Sequence, residues 1–532
     1  MKISTRLLRA MATVAGLTGI SRILGFIRDV LTAAILGAGP LADAFFVALK
    51  LPNFFRRVTA EGAFSVSFVP IYSKKIARVT GKGSEAEAAQ REANLFASRA
   101  LSFMLLILVP FTLLALWAMP WVIYGLAPGF IGDASRYDLA VELSRITFPY
   151  LLLMSMTALL GGVMNAHERF APFAAAPVLF NCALIAALLW GEHLEFVKTP
   201  GHAMAWGVAG AGVLQLLWLV ICVSTHGVPK IHLGLTLPKW DEDIRKLFKA
   251  MGPGVVGAGV MHINLFIDVV LASLLGAGAI SFLYYADRLN QLPLGIVGIA
   301  MSAALLPLFS KALEKKNTEE AKGLYNRAME VCLMLALPAA AALIVVPEAL
   351  ITVLFERGAF TAENTIETSK VLRAYAIGVP AYICMKLLST AYWAQHDTGS
   401  PVKISIIATL LNIVLSLLLI VPLGVAGIAL ATGLTGWLQC YLLRRGLKNM
   451  EAASWDTRFL GNLPKIIGAT CLMAAGLAIT AQGLSVWFAG TLFEQIAALV
   501  ILVGGGIALY ATALVMFGAV TKEDISGFLQ RT

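Results

Sequence analysis

Fourteen stretches of about 20 mostly apolar residues run along the 532-residue chain. Each is long enough to cross the ~30 Å hydrocarbon core of a bilayer as a helix. They fall at 10–36, 41–72, 94–119, 139–166, 172–190, 203–224, 250–275, 280–310, 328–354, 371–394, 402–421, 424–443, 463–482 and 488–517. The second and eighth are long and interrupted by proline. A soluble core cannot absorb so much apolar surface, because cores stop growing near ~250–300 residues. Here 59% of the chain is apolar and 14% charged, against roughly 45–50% and 25% in soluble domains. Lipid is the expected solvent, which excludes an ordinary multi-domain soluble enzyme.

The chain carries 41 Lys and Arg against 31 Asp and Glu, a formal charge of +10. In a soluble protein that surplus would suggest nucleic acid; here no nucleic-acid partner is expected, because the cations collect in alternate loops. Lys74, Lys75, Arg78, Lys82 and Arg91 share one, Lys230, Lys239, Arg245, Lys246 and Lys249 a second, and Arg444, Arg445 and Lys448 another. All fall on the side of Lys2, Arg6 and Arg9, so the positive-inside rule puts both termini in the cytoplasm. The basic start resembles a signal peptide, but the apolar pattern continues past Arg22 and Arg28 without a convincing cleavage site, and an uncleaved first helix is expected. The six cysteines are scattered singly through apolar stretches and read as small hydrophobes. The histidines show no metal spacing, and no metal site is expected.

An internal repeat organises the spans. FIRDVLTAAILGAG at 26–39 aligns without gaps on LFIDVVLASLLGAG at 265–278, placing Asp29 opposite Asp268. Prolines follow in order: Pro52 with Pro293, Pro70 with Pro307, Pro110 with Pro338, Pro149 with Pro380, and Asn181 pairs with Asn412. Six helices per repeat return the chain to the same side, giving parallel repeats about an axis along the membrane normal. The expected fold is an all-α polytopic membrane protein. It has an N-lobe at 1–226, a C-lobe at 227–453 around a central cavity, and two extra helices at 454–532.

Charges inside the spans point to function. The first span carries Arg22, Arg28 and Asp29; the second carries Asp43, Lys50, Arg56, Arg57 and Glu61; the eighth adds Asp287 and Arg288. A charge at the bilayer centre costs ~2.5–3.5 kcal/mol on insertion scales, so these groups should face a wet cavity and one another. Arg22 and Asp29 are seven apart, and Asp43, Lys50, Arg57 and Glu61 follow at seven, seven and four, each set on one helical face. Six cations against four acids leave +2. A surplus dominated by arginine, whose planar fork binds phosphate bidentately, predicts an anionic substrate such as a pyrophosphate. Static ion-pair locks between helices are the plain alternative for the acids. Arg56 and Arg57 could also snorkel to the inner surface. Asp268, the lone acid of the seventh span, with an oxygen from Asn412, is a candidate cation or proton site.

Four motifs then carry a resemblance: Ser21-Arg22-Ile23-Leu24-Gly25-Phe26-Ile27-Arg28-Asp29, Asp43-Ala44-Phe45-Phe46, Lys50-Leu51-Pro52-Asn53-Phe54-Phe55-Arg56-Arg57, and Tyr284-Tyr285-Ala286-Asp287-Arg288. Over essentially its whole length the chain resembles the MurJ (MviN) family of lipid II flippases, in the multidrug/oligosaccharidyl-lipid/polysaccharide exporter superfamily. The resemblance implies alternating access that moves undecaprenyl-diphosphate-linked disaccharide-pentapeptide from the inner to the outer leaflet of the bacterial inner membrane. It implies substrate-binding roles for Arg22, Arg28, Arg56 and Arg288. Ser21, Asp29, Asp43, Lys50, Arg57, Glu61 and Asp287 would support or gate them, and the last two helices would guide the lipid tail. Lipid II, the bilayer, and wall-synthesis or division proteins are the implied partners. No cofactor is expected; Na+ coupling, H+ coupling and drive by the membrane potential all stay open. The alternative is a cation-coupled drug antiporter of the same superfamily, which a net-positive cavity disfavours. A membrane enzyme on polyprenyl phosphates would need a paired-acid motif that is not apparent, so no enzymatic activity is expected.

Overall fold

The computed structural model describes residues 5–57, 64–78, 84–195, 197–225 and 236–520. Glu61, His226 and His232 lie outside them. Among the described residues the chain is helical without a β-strand, and it divides into two compact units, Met1–Ile280 and Ser281–Thr532. The first holds α1 (Thr5–Leu36), α2 (Pro40–Phe55), α3 (Ser65–Ile76), α4 (Ser84–Trp117), α5 (Met119–Leu126), α6 (Ala134–Thr147), α7 (Tyr150–Ala166), α8 (Ala171–Trp190), α9 (Pro200–Thr225) and α10 (Glu242–Ser273). From Ser281 the second holds most of α11 (Ala279–Pro293), then α12 (Ile299–Glu314), α13 (Thr318–Val345), α14 (Pro347–Phe355), α15 (Ala362–Ala376), α16 (Val379–Ala394), α17 (Gly399–Leu423), α18 (Val425–Gly446), α19 (Thr457–Gly483), α20 (Ser485–Phe488) and α21 (Leu492–Met516).

Ten helical stretches among the described residues are long and apolar enough to cross a membrane, which makes this a multi-pass membrane protein. They coincide with ten of the expected spans. The other four expected spans are the first, second, seventh and eighth, three of which carry the clustered charges, and they too are largely helical, as α1, α2 with α3, α10, and α11 with α12. The proline interruptions take a definite form. Helix α2 runs through Pro52 to Phe55, then widens into a π turn at Arg56–Arg57. In the second unit α11 ends at Pro293, and Leu294–Gly298 forms a π turn before α12. Proline removes a backbone donor and clashes with the preceding turn, and a wider turn accommodates both.

Helix ends are fixed by side-chain caps where the chain leaves a span. Asp133 accepts from Arg136 N at the start of α6, Asp241 from Ile244 N at α10, and Asp456 from Phe459 N at α19. Thr491 and Glu494 form a capping box on α21.

The first unit packs α3 onto α4 and α7 through a ladder of rings, with Phe64, Phe68, Tyr72 and Phe96 stacked at 5.2–5.4 Å. Helix α10 belongs to this unit and packs on α3, α4 and α5. Its start is tied by charge: Lys75 Nζ lies 2.5 Å from Glu92 Oε1 and 2.7 Å from Asp243 Oδ2, and Arg99 pairs with Asp241. Burial alone would lower the Lys75 ammonium, but hydrogen bonds and charge from Asp243 and Glu92 outweigh it and hold it above its ordinary value.

In the second unit α19 and α21 pack on each other, and α19 packs along α13. A buried polar clasp fixes α19 there. Asn462 Nδ2 donates to Glu330 Oε1 (2.7 Å), Arg327 pairs with Asp456 (2.6 Å), and Asn326 Nδ2 donates to the Ser454 carbonyl (2.8 Å).

Candidate functional site

Helix α1 is continuous over 32 residues, about 48 Å at 1.5 Å per residue. It packs along α8, and the contact is polar where the sequence places its charges. Arg28 is buried. Its Nη2 donates to Asp29 Oδ1 (2.7 Å), its Nη1 to Asn181 Oδ1 on α8 (2.9 Å), and its guanidinium carbon lies 5.9 Å from the Phe180 ring centre. Asn181 Nδ2 in turn donates to the Ser21 carbonyl (2.9 Å) and Ser21 Oγ (3.3 Å). Ser21, Arg28 and Asp29 are thus brought together, through an asparagine that the sequence reading used only as a repeat marker. The acid that pairs with Arg28 is its own neighbour Asp29, although the spacing puts Asp29 on the face of Arg22. Arg22 stays exposed, without a side-chain hydrogen bond or ion pair among the described residues. These two arginines of α1 therefore differ: Arg28 is buried and hydrogen-bonded, and Arg22 is exposed.

The expected single face of Asp43, Lys50 and Arg57 does not hold as one surface. Asp43 is wholly buried, Lys50 half-buried and Arg57 exposed. Asp43 Oδ2 accepts from Arg136 Nη2 on α6 (2.6 Å) and from Gly278 N (2.8 Å), and Arg136 also lies 4.0 Å over the Phe130 ring. Asp43 therefore holds a buried lock and braces the turn after α10. Gly278 has φ +93°, which a side chain would strain. Gly129 N donates to Ser273 Oγ at the last residue of α10 (3.2 Å). Arg136 precedes residue 139, where the apolar pattern starts the fourth span. The cap at Asp133 was the signal that the helix begins earlier and carries Arg136 inside. Arg56 is half-buried on the π turn.

In the second unit, Arg288 Nη2 donates to Tyr284 Oη (3.0 Å), with its guanidinium 5.4 Å from that ring, and Gln291 Nε2 donates to Asp287. Both pairs are one turn apart on α11, so the polar edge expected there is a set of i,i+4 contacts. Asp268 is half-buried on α10 in the first unit. Asn412 is buried on α17 in the second, where its amide donates to Thr432 Oγ1 (3.1 Å) and Thr435 Oγ1 (3.2 Å). Those bonds clasp α17 to α18 and use both amide protons; the Oδ1 has no hydrogen-bond partner among the described residues.

Comparison with known proteins places this arrangement. Lipid II flippase MurJ of Burkholderia cenocepacia is 35% identical over 471 residues, 88% of this chain and 89% of that one. A solved structure described as lipid II flippase MurJ, inward closed conformation, superposes with TM-score 0.77 at 26% identity, over 95% of this chain and 98% of that one. A multidrug resistance MATE family transporter of the MOP superfamily, in an inward-facing conformation, shares the fold with TM-score 0.65 at 15% identity, over 84% of this chain and 99% of that one. The family model described as lipid II flippase MurJ matches residues 32–498, and on these grounds the chain belongs to the MurJ lipid II flippase family.

Proposed function

We propose that this protein is a lipid II flippase: a transporter, not an enzyme, that carries the diphosphate-linked disaccharide-pentapeptide lipid from the inner to the outer leaflet of the bacterial inner membrane. Family membership carries the activity, and the polar seam between α1 and α8 carries the mechanism. Its chemistry suits a diphosphate. Arg22 offers an open fork, and Arg28 is held rigid by Asp29 and Asn181 with its ion pair available for exchange. Arg56 and Arg288 are the other binding cations of this reading, with Ser21, Asp29, Asp43, Lys50, Arg57, Glu61 and Asp287 supporting or gating. In it the chain forms fourteen spans, twelve of them in two six-helix repeats that rock about the substrate, with both termini cytoplasmic. Similar turns in the two halves support the repeat: a π turn follows Pro52 and its partner Pro293. Helices α19 and α21 stand outside it and would carry the lipid tail. Coupling through Asp268 and Asn412 to Na+ or H+, and contacts with wall-synthesis proteins, belong to the same proposal.

Each charge-assisted contact to phosphate contributes about 1.5–3 kcal/mol, so one lost contact slows transport by roughly 10- to 100-fold. The test is complementation of a flippase-depleted strain, with lipid II translocation in vesicles, by Arg22→Ala, Arg28→Ala and Arg288→Ala. Loss in each at normal expression supports the reading; full activity in all three removes the arginines from the substrate site.

A further inference from the structure

A polar cavity lies in the first unit, lined by residues other than those of the α1–α8 seam. It has a volume of about 580 Å³ and runs along α6 beside the start of α9, lined by Asp138, Glu142, Arg145, Lys198, His202 and Trp206. Asp138, Glu142 and Arg145 are four and three residues apart, along one face of α6. Two of the four charges are committed to each other, with Lys198 Nζ 2.6 Å from Glu142 Oε1. The other two are opposite in sign and unspent. Asp138 has no hydrogen bond or ion pair among the described residues, and Arg145 uses only its Nε, on the Leu116 carbonyl (3.2 Å). His202, also in the lining, is 4% exposed. Its Nδ1 is held by Thr199 Oγ1 at 2.8 Å. Its Nε2 faces Glu142 Oε2 at 3.3 Å but has no hydrogen-bond partner among the described residues.

The ring of exposed aromatics fixes the depth. Trp206 borders the cavity, and Trp117, Trp121 and Tyr124 lie exposed around the end of α4, from which Leu116 takes the Arg145 bond. Such a belt marks the headgroup level of a bilayer. A ligand there must carry an anion for the Arg145 fork and a hydrogen-bonding cation for Asp138. It must also carry an apolar tail to run past Trp206.

We infer that this cavity binds the headgroup of a phospholipid that is zwitterionic with a primary ammonium, as in phosphatidylethanolamine. The phosphodiester sits on the Arg145 fork and the ammonium on Asp138. Placing the site in the outer leaflet rests on the proposed orientation; the binding itself does not, and it is read without any flipping assay.

The experiment is native mass spectrometry of the full chain in detergent, offered equal amounts of phosphatidylethanolamine, phosphatidylcholine and phosphatidylglycerol. The expected result is preferential retention of phosphatidylethanolamine, weakened about tenfold by Asp138→Asn and by Arg145→Gln, as for one lost charge-assisted contact, and restored by Asp138→Glu. Both targets are exposed, so the variants should keep the wild-type melting temperature in lipid-free detergent. Equal retention of the three lipids overturns the inference. So does preference for phosphatidylglycerol, which would make this an anion site only, or a preference untouched by either substitution. Loss of flipping with lipid preference intact would count against the proposed function and leave this site standing.

Discussion

The Asp43–Arg136 pair permits a quantitative test of how this chain holds charge at depth. Side-chain exposure is 0% for Asp43 and 6% for Arg136, and Asp43 Oδ2 takes both Arg136 Nη2 and Gly278 N. Removing one partner of a buried ion pair costs about 3–5 kcal/mol, because the other charge is stranded. Arg136→Met should fall in that range. Asp43→Asn should cost less, about 2–4 kcal/mol, since the amide oxygen still accepts from Gly278 N and the Phe130 face still attracts the guanidinium by up to ~2 kcal/mol. The double variant strands neither charge and keeps the Gly278 bond, so it should return to within ~1 kcal/mol of the parent. A cycle built from these three should therefore show a coupling energy well above the ~0.3–0.5 kcal/mol scatter of independent sites. The assay is SDS-titrated unfolding in mixed micelles followed by far-ultraviolet circular dichroism. Single variants within ~1 kcal/mol of the parent, or a double variant as damaged as the two singles summed, would refute the reasoning.

Two further outcomes are expected. Asn181→Leu removes the bond to Arg28 and both bonds to Ser21, and transport should fall by roughly 10-fold, as for a lost hydrogen bond to a charged group; normal lipid II translocation would show that Arg28 is positioned without it. At the start of α10, the raised Lys75 pKa means that its contribution is present below the unfolded value near 10.5 and is lost as pH rises through the folded one. Its carboxylate partners are partly exposed, so Lys75→Met should cost only about 1 kcal/mol at pH 7, and the gap to the parent should narrow as pH rises beyond 10.5 in the same unfolding assay.

Much of the fold was legible because it rests on length and hydropathy. Ten expected spans reappear as long apolar helices, and the expected apolar breaks at Pro52 and Pro293 mark real changes of backbone geometry. Membership of the family was legible from the motifs around Arg28 and Arg56. Pairing was not. Helical spacing says which residues share a face and is silent on what the neighbouring helix offers. So the spacing puts Asp29 on the face of Arg22, while adjacent Arg28 is the residue that reaches it. Asp43 was placed in a wet cavity because Arg136, 93 positions away, carries no mark of being its partner. Asn412 is similar. Its sequence shows an oxygen and an amide, and only the packing of α18 spends the amide on Thr432 and Thr435.

The π turn at Leu294–Gly298 sets a phase relation along the eighth span. A π turn holds roughly one residue more than an α turn, and one residue is about 100° of rotation. Side chains beyond the turn are therefore rotated by about a quarter of a circle from where an unbroken α-helix would aim them. The face that presents Arg288 before the turn and the face α12 presents after it are set by that one extra residue. Deleting it would preserve composition, hydropathy and helix content while redirecting every side chain from Ile299 onward, so the length of this segment carries information that no single side chain in it does.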